Sequence, residues 1–590
     1  MGQSYWERHA ARRLPRRRIL GGGAAFAAGA AGLALAGCGD DDGESGGGTT
    51  SLATATPAAN ASPTPTDPFA NAKKGGVYNI DSTGDPPSID PYGNTSFLTK
   101  DFAAFAYSRL YKFKAGPGIA AADVKPTPDL AQKAEASPDG LKWSITLKPG
   151  AKFHDVAPVN GRAVTTEDVK FSWGRMVDPK HPNASQVDFV DKVEFPDAST
   201  VVFTLKAPNV AFLEVLADTN LFWVMPTESG GKFDPAKLSI GSGPWIFESY
   251  TPAVGHKWKK NPAWHENGFP LMDGVQVSII PEYANRLAQF RAGNTDSSGL
   301  SADDLVDVKQ KNKDIVLVGT LSQQNSYVYF DSDPAAPWRD PRVRQAISMA
   351  LDREALNDLG FSVNRLRAAG LDVKSGWNNV IPAGMTRFWL DPKSSAHGET
   401  GKYFAYNVAE AKKLLAAAGF ANGFPGTWQY AGNRYGKDFN DIAEASGQYL
   451  ISLGLQMTFE VQDYNSKYIT QTSVGNFKGI AFGPETTFTE AGSYPIRLYT
   501  DNPKNRGKIK DAQLAKLAVD QQSESNEQKR REMFYEIQRL NAQNMYYIPS
   551  QYRAATSWSA HQSWLKNGDT FLTTGYGSPA ETYPYRWKST

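Results

Sequence analysis

The residues of this chain best suited to hold a metal are His154, His181, His256, His265, His397 and His561, six of its seven histidines. None stands in a His-x-x-x-His or His-x-x-Glu-His pattern, the spacing that puts two imidazoles on one helix face for zinc. A nucleophile elbow needs Gly-x-Ser-x-Gly, and Gly241-Ser242-Gly243-Pro244 lacks that spacing. Gly432-Asn433-Arg434-Tyr435-Gly436-Lys437-Asp438 is one residue short of a phosphate-cradling loop and ends in Asp, so it reads as a plain loop. The expectation is no catalytic residue, no metal and no cofactor, hence not an enzyme. A dyad assembled from distant residues leaves no local pattern, so an exported hydrolase stands as the alternative. The chemistry the chain does offer is recognition: aromatic rings with a few polar groups beside them, as a small-molecule pocket requires.

At 590 residues the chain is too long for one core and is expected to split into lobes. With 41% hydrophobic residues and 12% aromatics it can bury sizeable cores, which excludes wholesale disorder. The net charge of +2 is unevenly placed. Residues 1–37 hold Arg8, Arg12, Arg13, Arg16, Arg17 and Arg18 against Glu7 alone; the remainder has 57 basic and 60 acidic residues, a net of −3. The body therefore has no charge argument for nucleic acid.

The single cysteine, Cys38, cannot make an internal disulfide. It ends a basic region (Arg12 to Arg18) followed by an Ala/Gly-rich apolar stretch (Ile19 to Gly37), the layout of a secretory signal. Ala and Gly gain little from hydrocarbon, so the stretch would be a weak permanent anchor. Arg16-Arg17-Arg18-Ile19-Leu20 resembles a twin-arginine export signal, with Pro15 where Ser or Thr is more usual. Leu35-Ala36-Gly37-Cys38 resembles the lipobox of bacterial lipoproteins, which implies cleavage of residues 1–37 and diacylation of Cys38. Two acyl chains hold stably where one does not. Residues 38–72 then read as a lipid-anchored, disordered linker; as a flexible coil it spans on the order of 30 Å, and at most ~110 Å when taut.

From Lys73 onward there is no internal repeat, which removes the expected mark of an adhesive stalk. Leu141, Trp143, Ile145 and Leu147 alternate after the Asp139-Gly140 turn, and Val201, Phe203 and Leu205 alternate after another, so both predict half-buried strands. Thr165 with Asp168 predicts a capping box, and Asp340 with Pro341 predicts a helix start. Asn407 and Glu410 cap a helix whose inner face is Ala411, Leu414, Leu415 and Ala418, stopped by Gly419. The mixed order of strands and helices predicts an α/β (mixed α+β) body of more than one lobe.

Several runs, in order, look like the extracytoplasmic solute-binding proteins of peptide/nickel-type ABC importers, family 5. They are 73–96, 126–176 ("PTPDLAQKAEASPDGLKWSITLKPGAKFHDVAPVNGRAVTTEDVKFSWGRM"), 240–250 ("IGSGPWIFESY"), 261–296, 327–356, 406–420 and 527–550. The resemblance implies a two-lobed type II periplasmic-binding-protein fold with an extra subdomain inserted in lobe one. It assigns lobe one to 73–325, lobe two to 326–551, and a C-terminal return to lobe one to 552–590, with hinge segments near 324–330 and 546–552. It implies a monomer that closes on a solute and delivers it to a membrane permease and its ATPase subunits, on the outer face of the cell membrane.

Peptide-binding relatives hold the ligand's amino group with an aspartate in an Asp-Tyr-x-Asp/Glu-Pro-like motif of lobe two. That motif is absent from 475–499, where Glu485 or Glu490 could stand in for it. Sugar, heme or a metal chelate remains an alternative cargo. The other ligand-contact candidates are Asn94, Thr95 and Ser96 in the first loop, Trp245 after the Gly-Ser-Gly-Pro turn, Tyr430, Asn433 and Tyr435 in one loop region, and Phe482.

Overall fold

The alternating segments form strands as their pattern predicts. Thr200–Leu205 buries Val201, Phe203 and Leu205 and leaves the residues between them half-buried. It pairs antiparallel with Lys142–Leu147, placing Ile145 opposite Val201. With Ala131–Ala136 and Val190–Glu194 these make a small four-stranded antiparallel sheet. Beside it, helix Thr166–Met176 starts at the expected capping box of Thr165 and Asp168. In this computed structural model the described residues are 67–117, 119, 125–181, 183–568 and 578–589. Cys38, the signal region and nearly all of the linker lie outside them.

Two larger sheets organise the rest. A seven-stranded sheet runs in the order Val316–Leu321, Thr556–His561, Ser297–Leu300, Val77–Ser82, Gly274–Ile279, Gly255–Lys260, Trp245–Thr251. Val77–Ser82 is parallel to both its neighbours, and the other pairs are antiparallel. One hydrophobic cluster joins this sheet to the small one, from Tyr78 and Phe102 through Phe203 and Trp223 to Val277, so the two share a lobe. A five-stranded sheet centres the other lobe, in the order Gln456–Gln462, Pro425–Ala431, Ile480–Pro484, Ser326–Phe330, Ile548–Pro549.

The chain passes between these two sheets twice, and the passages lie side by side. Val316–Leu321 pairs antiparallel with Thr556–His561 on one side, and Ser326–Phe330 with Ile548–Pro549 on the other. The links are therefore the short stretches 322–325 and 550–555, tied by a bond from Ser550 N to Ser326 O of 2.8 Å. The segments read as hinge strands from the sequence end here: their strands belong wholly to the five-stranded sheet. A second hydrophobic cluster runs without a break from Leu287 and Leu305 through Val328 to Ala555 and Ala560, so apolar packing is continuous past the crossings.

The helix starts also follow the sequence. Asp340 accepts from Arg342 N ahead of helix Pro341–Met349, and Asn407 accepts from Glu410 N ahead of helix Val408–Ala417. Gly419 has φ +91°, the left-handed conformation that ends such a helix at little cost. The Gly-Ser-Gly-Pro turn has a packing reason. A Cβ on Gly241 would sit 2.0 Å from the Ala106 carbonyl oxygen, and Gly243 N donates to that same oxygen at 2.8 Å. Only a backbone without side chains comes that close to the end of helix Phe97–Ala106.

Candidate functional site

One stretch of the seven-stranded lobe, between Pro208 and Asn220, reaches across to the five-stranded lobe. Asn220 Nδ2 donates to Thr487 O at 3.1 Å, and Thr489 N donates to Asp218 Oδ2 at 3.5 Å. Val210 N donates to Gln522 O, and Ser523 Oγ to Pro208 O, each at 2.8 Å. Asp218, Thr219 and Asn220 are all buried, and Thr219 Oγ1 and Asn220 Oδ1 have no partner among the described residues. Burial pushes the Asp218 carboxyl above its ordinary value. At the crossings, Glu485 N donates to Asn325 O at 2.9 Å and Tyr494 OH to Gln323 O at 2.7 Å. The segment 485–494, a loop and the start of helix Ser493–Tyr499, follows strand Ile480–Pro484 and thus touches both the crossings and the opposite lobe.

The residues singled out from the sequence fall into three groups. In the first loop, Asn94 Oδ1 accepts from Ser96 N at 2.7 Å and Ser96 Oγ accepts from Leu98 N at 3.3 Å. Ser96 is thereby the N-cap of helix Phe97–Ala106, while half-buried Thr95 makes no hydrogen bond to a described residue. Trp245 is fully buried in the core of the seven-stranded lobe, paired across from Lys260.

The second group comes together. Tyr430, Tyr435 and Phe482 all surround Phe439, with ring centroids 6.5, 4.8 and 5.1 Å away. Tyr552, within the second crossing, packs on the same ring at 5.2 Å. Exposed Asn433 donates from Nδ2 to Asp463 Oδ2 and accepts from Tyr464 N, which holds the Tyr464 ring 5.6 Å from Tyr435. Tyr430 and Phe482 are buried within this cluster, so Tyr435, Tyr464 and Asn433 form its outer side.

The third group is the acids. Glu485 is fully buried between Arg497 (2.8 Å) and Arg506 (2.7 Å), and Glu490 is paired with Arg530 at 2.6 Å. Burial pushes the Glu485 carboxyl up, but Arg506 and Arg497 outweigh it and bring it down to about 2. An ammonium ligand would have to displace a guanidinium from either acid, and that leaves a buried cation unpaired. Across the interface, half-buried Glu214 is pushed up to about 7 by burial and then by the Glu490 charge.

Sequence reasoning missed Asp218, Thr219, Asn220, Phe439, Tyr464, Arg497 and Arg506. The first three carried a signal: a polar triplet enclosed by the apolar runs "FLEVLA" and "LFWVM". Among the described residues no group of three or more His, Cys, Asp or Glu could hold a metal ion, and no helix is long and apolar enough to cross a membrane. His154 is fully buried and bonded to the main chain of Gly241 and Gly243, and burial drives its pKa down to about 4.

Known proteins share this architecture. A glutathione-binding protein of Salmonella typhi is 26% identical over 380 residues, covering 64% of this chain and 67% of its own. The periplasmic binding protein AgaA in complex with agropinic acid, from A. tumefacien R10, superposes with a TM-score of 0.71 at 22% identity, covering 87% of this chain and 99% of that one. The oligopeptide-binding protein AppA of Bacillus subtilis, in complex with a nonapeptide, gives 0.70 at 21% identity, covering 88% and 100%. The two solved structures are two-lobed periplasmic binding proteins, and the two-lobed fold is shared. Residues 125–506, well over half the chain, match the model of bacterial extracellular solute-binding proteins, family 5, middle region. The chain belongs to the family 5 solute-binding proteins of ABC importers.

Proposed function

We propose that this protein captures a small peptide-like solute between its lobes by hinge closure and passes it to a membrane permease, while two acyl chains on Cys38 hold it at the outer face of the membrane. The observation that supports this most is the pairing of two short crossings, 322–325 and 550–555, with a polar interface between 208–220 and 485–523 beyond them. Two adjacent links bend together, and closing brings polar groups of opposite lobes into contact. A solute touching both lobes stabilises the closed state over the open one, and only that difference drives the motion.

The reading takes lobe one as 73–325, lobe two as 326–551 and the return to lobe one as 552–590, and the positions of the two crossings support it. For the pocket wall, the reading takes Asn94, Thr95 and Ser96 from the first lobe and Asn433 and Tyr435 from the second. Tyr430 and Phe482 are buried and pack on Phe439, the ring that also carries Tyr435, so the reading takes them as support for the wall, and it takes Trp245 as part of the lobe-one core. Peptide-like cargo is consistent with what the glutathione-binding and oligopeptide-binding relatives take. The opine ligand of AgaA shows why a non-peptide solute is the second reading.

Mass spectrometry of the solute carried through native purification tests the cargo, with small-angle scattering before and after its removal. The expected outcome is a bound peptide-like molecule and a larger radius of gyration once it is gone. A purified chain that turns over a substrate and never changes shape with any tight ligand would sink the proposal. Asn220→Ala removes one cross-lobe bond, of about 1 kcal/mol, and is expected to shift the same scattering curve toward the open form.

A further inference from the structure

The buried charges around Glu485 do not balance. Arg497 uses Nε and Nη2 on Glu485, and Arg506 uses Nη1 on Glu485 and Nε on Ser473 O. Arg497 Nη1 and Arg506 Nη2 donate to no described residue. Lys504 joins the same cluster and, among the described residues, has no carboxylate within salt-bridge distance; its Nζ donates only to Ser473 O and Oγ, both at the long distance of 3.4 Å. Three cations thus surround one carboxylate, with spare donors on each. Arg497 also touches Thr486 Oγ1 and lies over the Phe488 ring, and Arg506 lies over the Tyr329 ring 4.9 Å away, so both guanidinium planes are held in place. Burial, and then Arg506, lowers Lys504 to about 7, as expected of an ammonium held out of water beside other cations. Lys504 is nevertheless half-buried rather than sealed in, so its side of the cluster is reachable.

The place of the cluster matters as much as its charge. Glu485 is bonded to the first crossing through Asn325, and Thr487, two residues on, accepts from Asn220 of the opposite lobe. The cations therefore gather on the side chain of the segment whose main chain meets the first crossing and the opposite lobe.

The geometry points to Arg497, Lys504 and Arg506 as a subsite for an oxyanion carried by the solute, a carboxylate or a phosphate group. This rests on the reading of the chain as a solute-binding protein that closes on its cargo. A planar carboxylate or a phosphate accepts several charge-assisted hydrogen bonds at once, which matches donors left open on two forked guanidinium groups and one ammonium. Glu485 then acts as the positioning residue that aligns the two arginines, and the polarity is opposite to that of a site built to take an amino group.

Titration calorimetry on the full chain tests this with three probes: trialanine, trialanine amide and inorganic phosphate. Trialanine is expected to bind at least tenfold tighter than its amide, and Lys504→Gln to erase that preference. Preference for phosphate over trialanine, again lost in Lys504→Gln, supports the subsite and assigns it to phosphate-bearing cargo. Lys504 has no ion pair with a described residue to break, so the variant is expected to keep its fold, checked by its unfolding midpoint; Arg497→Lys, which keeps the charge, is expected to retain part of the preference. Equal binding of acid and amide with no phosphate binding, or a preference unchanged in Lys504→Gln, overturns the subsite, as does failure of all three probes to bind. Lobe closure around an uncharged solute would in that case leave the transport reading standing.

Discussion

Two ion clusters in this protein are close to opposites. In the seven-stranded lobe, Arg162 lies between two acids, Asp168 at 2.7 Å and Glu228 at 2.5 Å. In the five-stranded lobe, Glu485 lies between two arginines, with Lys504 beside them. The first cluster has surplus negative charge, and its surplus is answered locally. Asp168 is the third residue of helix Thr166–Met176, where the helix dipole is positive, and it also accepts from Thr165 N and Thr227 N. Hydrogen bonds from Arg162 hold Glu228 down at about 2. The Arg162 side chain remains 31% exposed, so water screens what is left. The second cluster is 3% exposed or less at Glu485, Arg497 and Arg506, and no second carboxylate among the described residues pairs with its cations. A complete cluster reads as architecture, whereas an incomplete one of the same residue types reads as a receptor.

The largest expected effect is on the buried side. Glu485→Gln leaves two buried guanidinium groups without their anion and is expected to cost about 3–5 kcal/mol, measured by chemical denaturation. A loss below about 1 kcal/mol would mean that solvent reaches this cluster and that the contrast is false. Asp168→Asn removes a cap acceptor and one partner of a half-exposed arginine, so about 2 kcal/mol is expected by the same measurement. If the two substitutions cost the same, burial is not what separates the clusters.

The pH dependence follows from the same charges. The folded Glu485 value of about 2 lies below the unfolded value, so its contribution is full above roughly pH 4–5 and is lost as pH falls toward about 2. Lys504 works the other way: its folded value of about 7 lies below an unfolded value near 10.4, and the unfolded chain binds the extra proton in between. Stability is therefore expected to rise with pH from about 7 to 10. Lys100, lowered to about 8 chiefly by burial, contributes in the same direction. The smaller effect to read is the difference between wild type and Lys504→Met, whose rise over that window is expected to be flatter. Identical slopes for the two would show that Lys504 is not desolvated.

How much of this was legible in the chain depends on distance along it. Thr165 with Asp168, Asp340 with Pro341 and Asn407 with Glu410 were readable because each cap is settled within four residues. The strands at 142–147 and 200–205 were readable from their period, and the family resemblance from the order of its runs. The roles of Asn94, Ser96 and Trp245 were not readable. A polar residue beside a helix start can cap it or face a ligand, and an aromatic residue after a turn can line a pocket or fill a core; composition is the same either way. Glu485 could be marked as a candidate, but its partners lie 12 and 21 residues further on, on a helix and in a loop that only folding brings to it.

By itself, the sequence determined the caps, the strand periods, the family and the presence of a charged loop after Phe482, because hydrogen-bonding type and apolar alternation act between near neighbours. Tertiary structure alone decided which cations gather around that loop, which ring clusters around Phe439 and which backbone passes close enough to demand Gly241. Those outcomes depend on burial and on groups far apart in the chain, and both are fixed only when the two sheets and their paired crossings are in place.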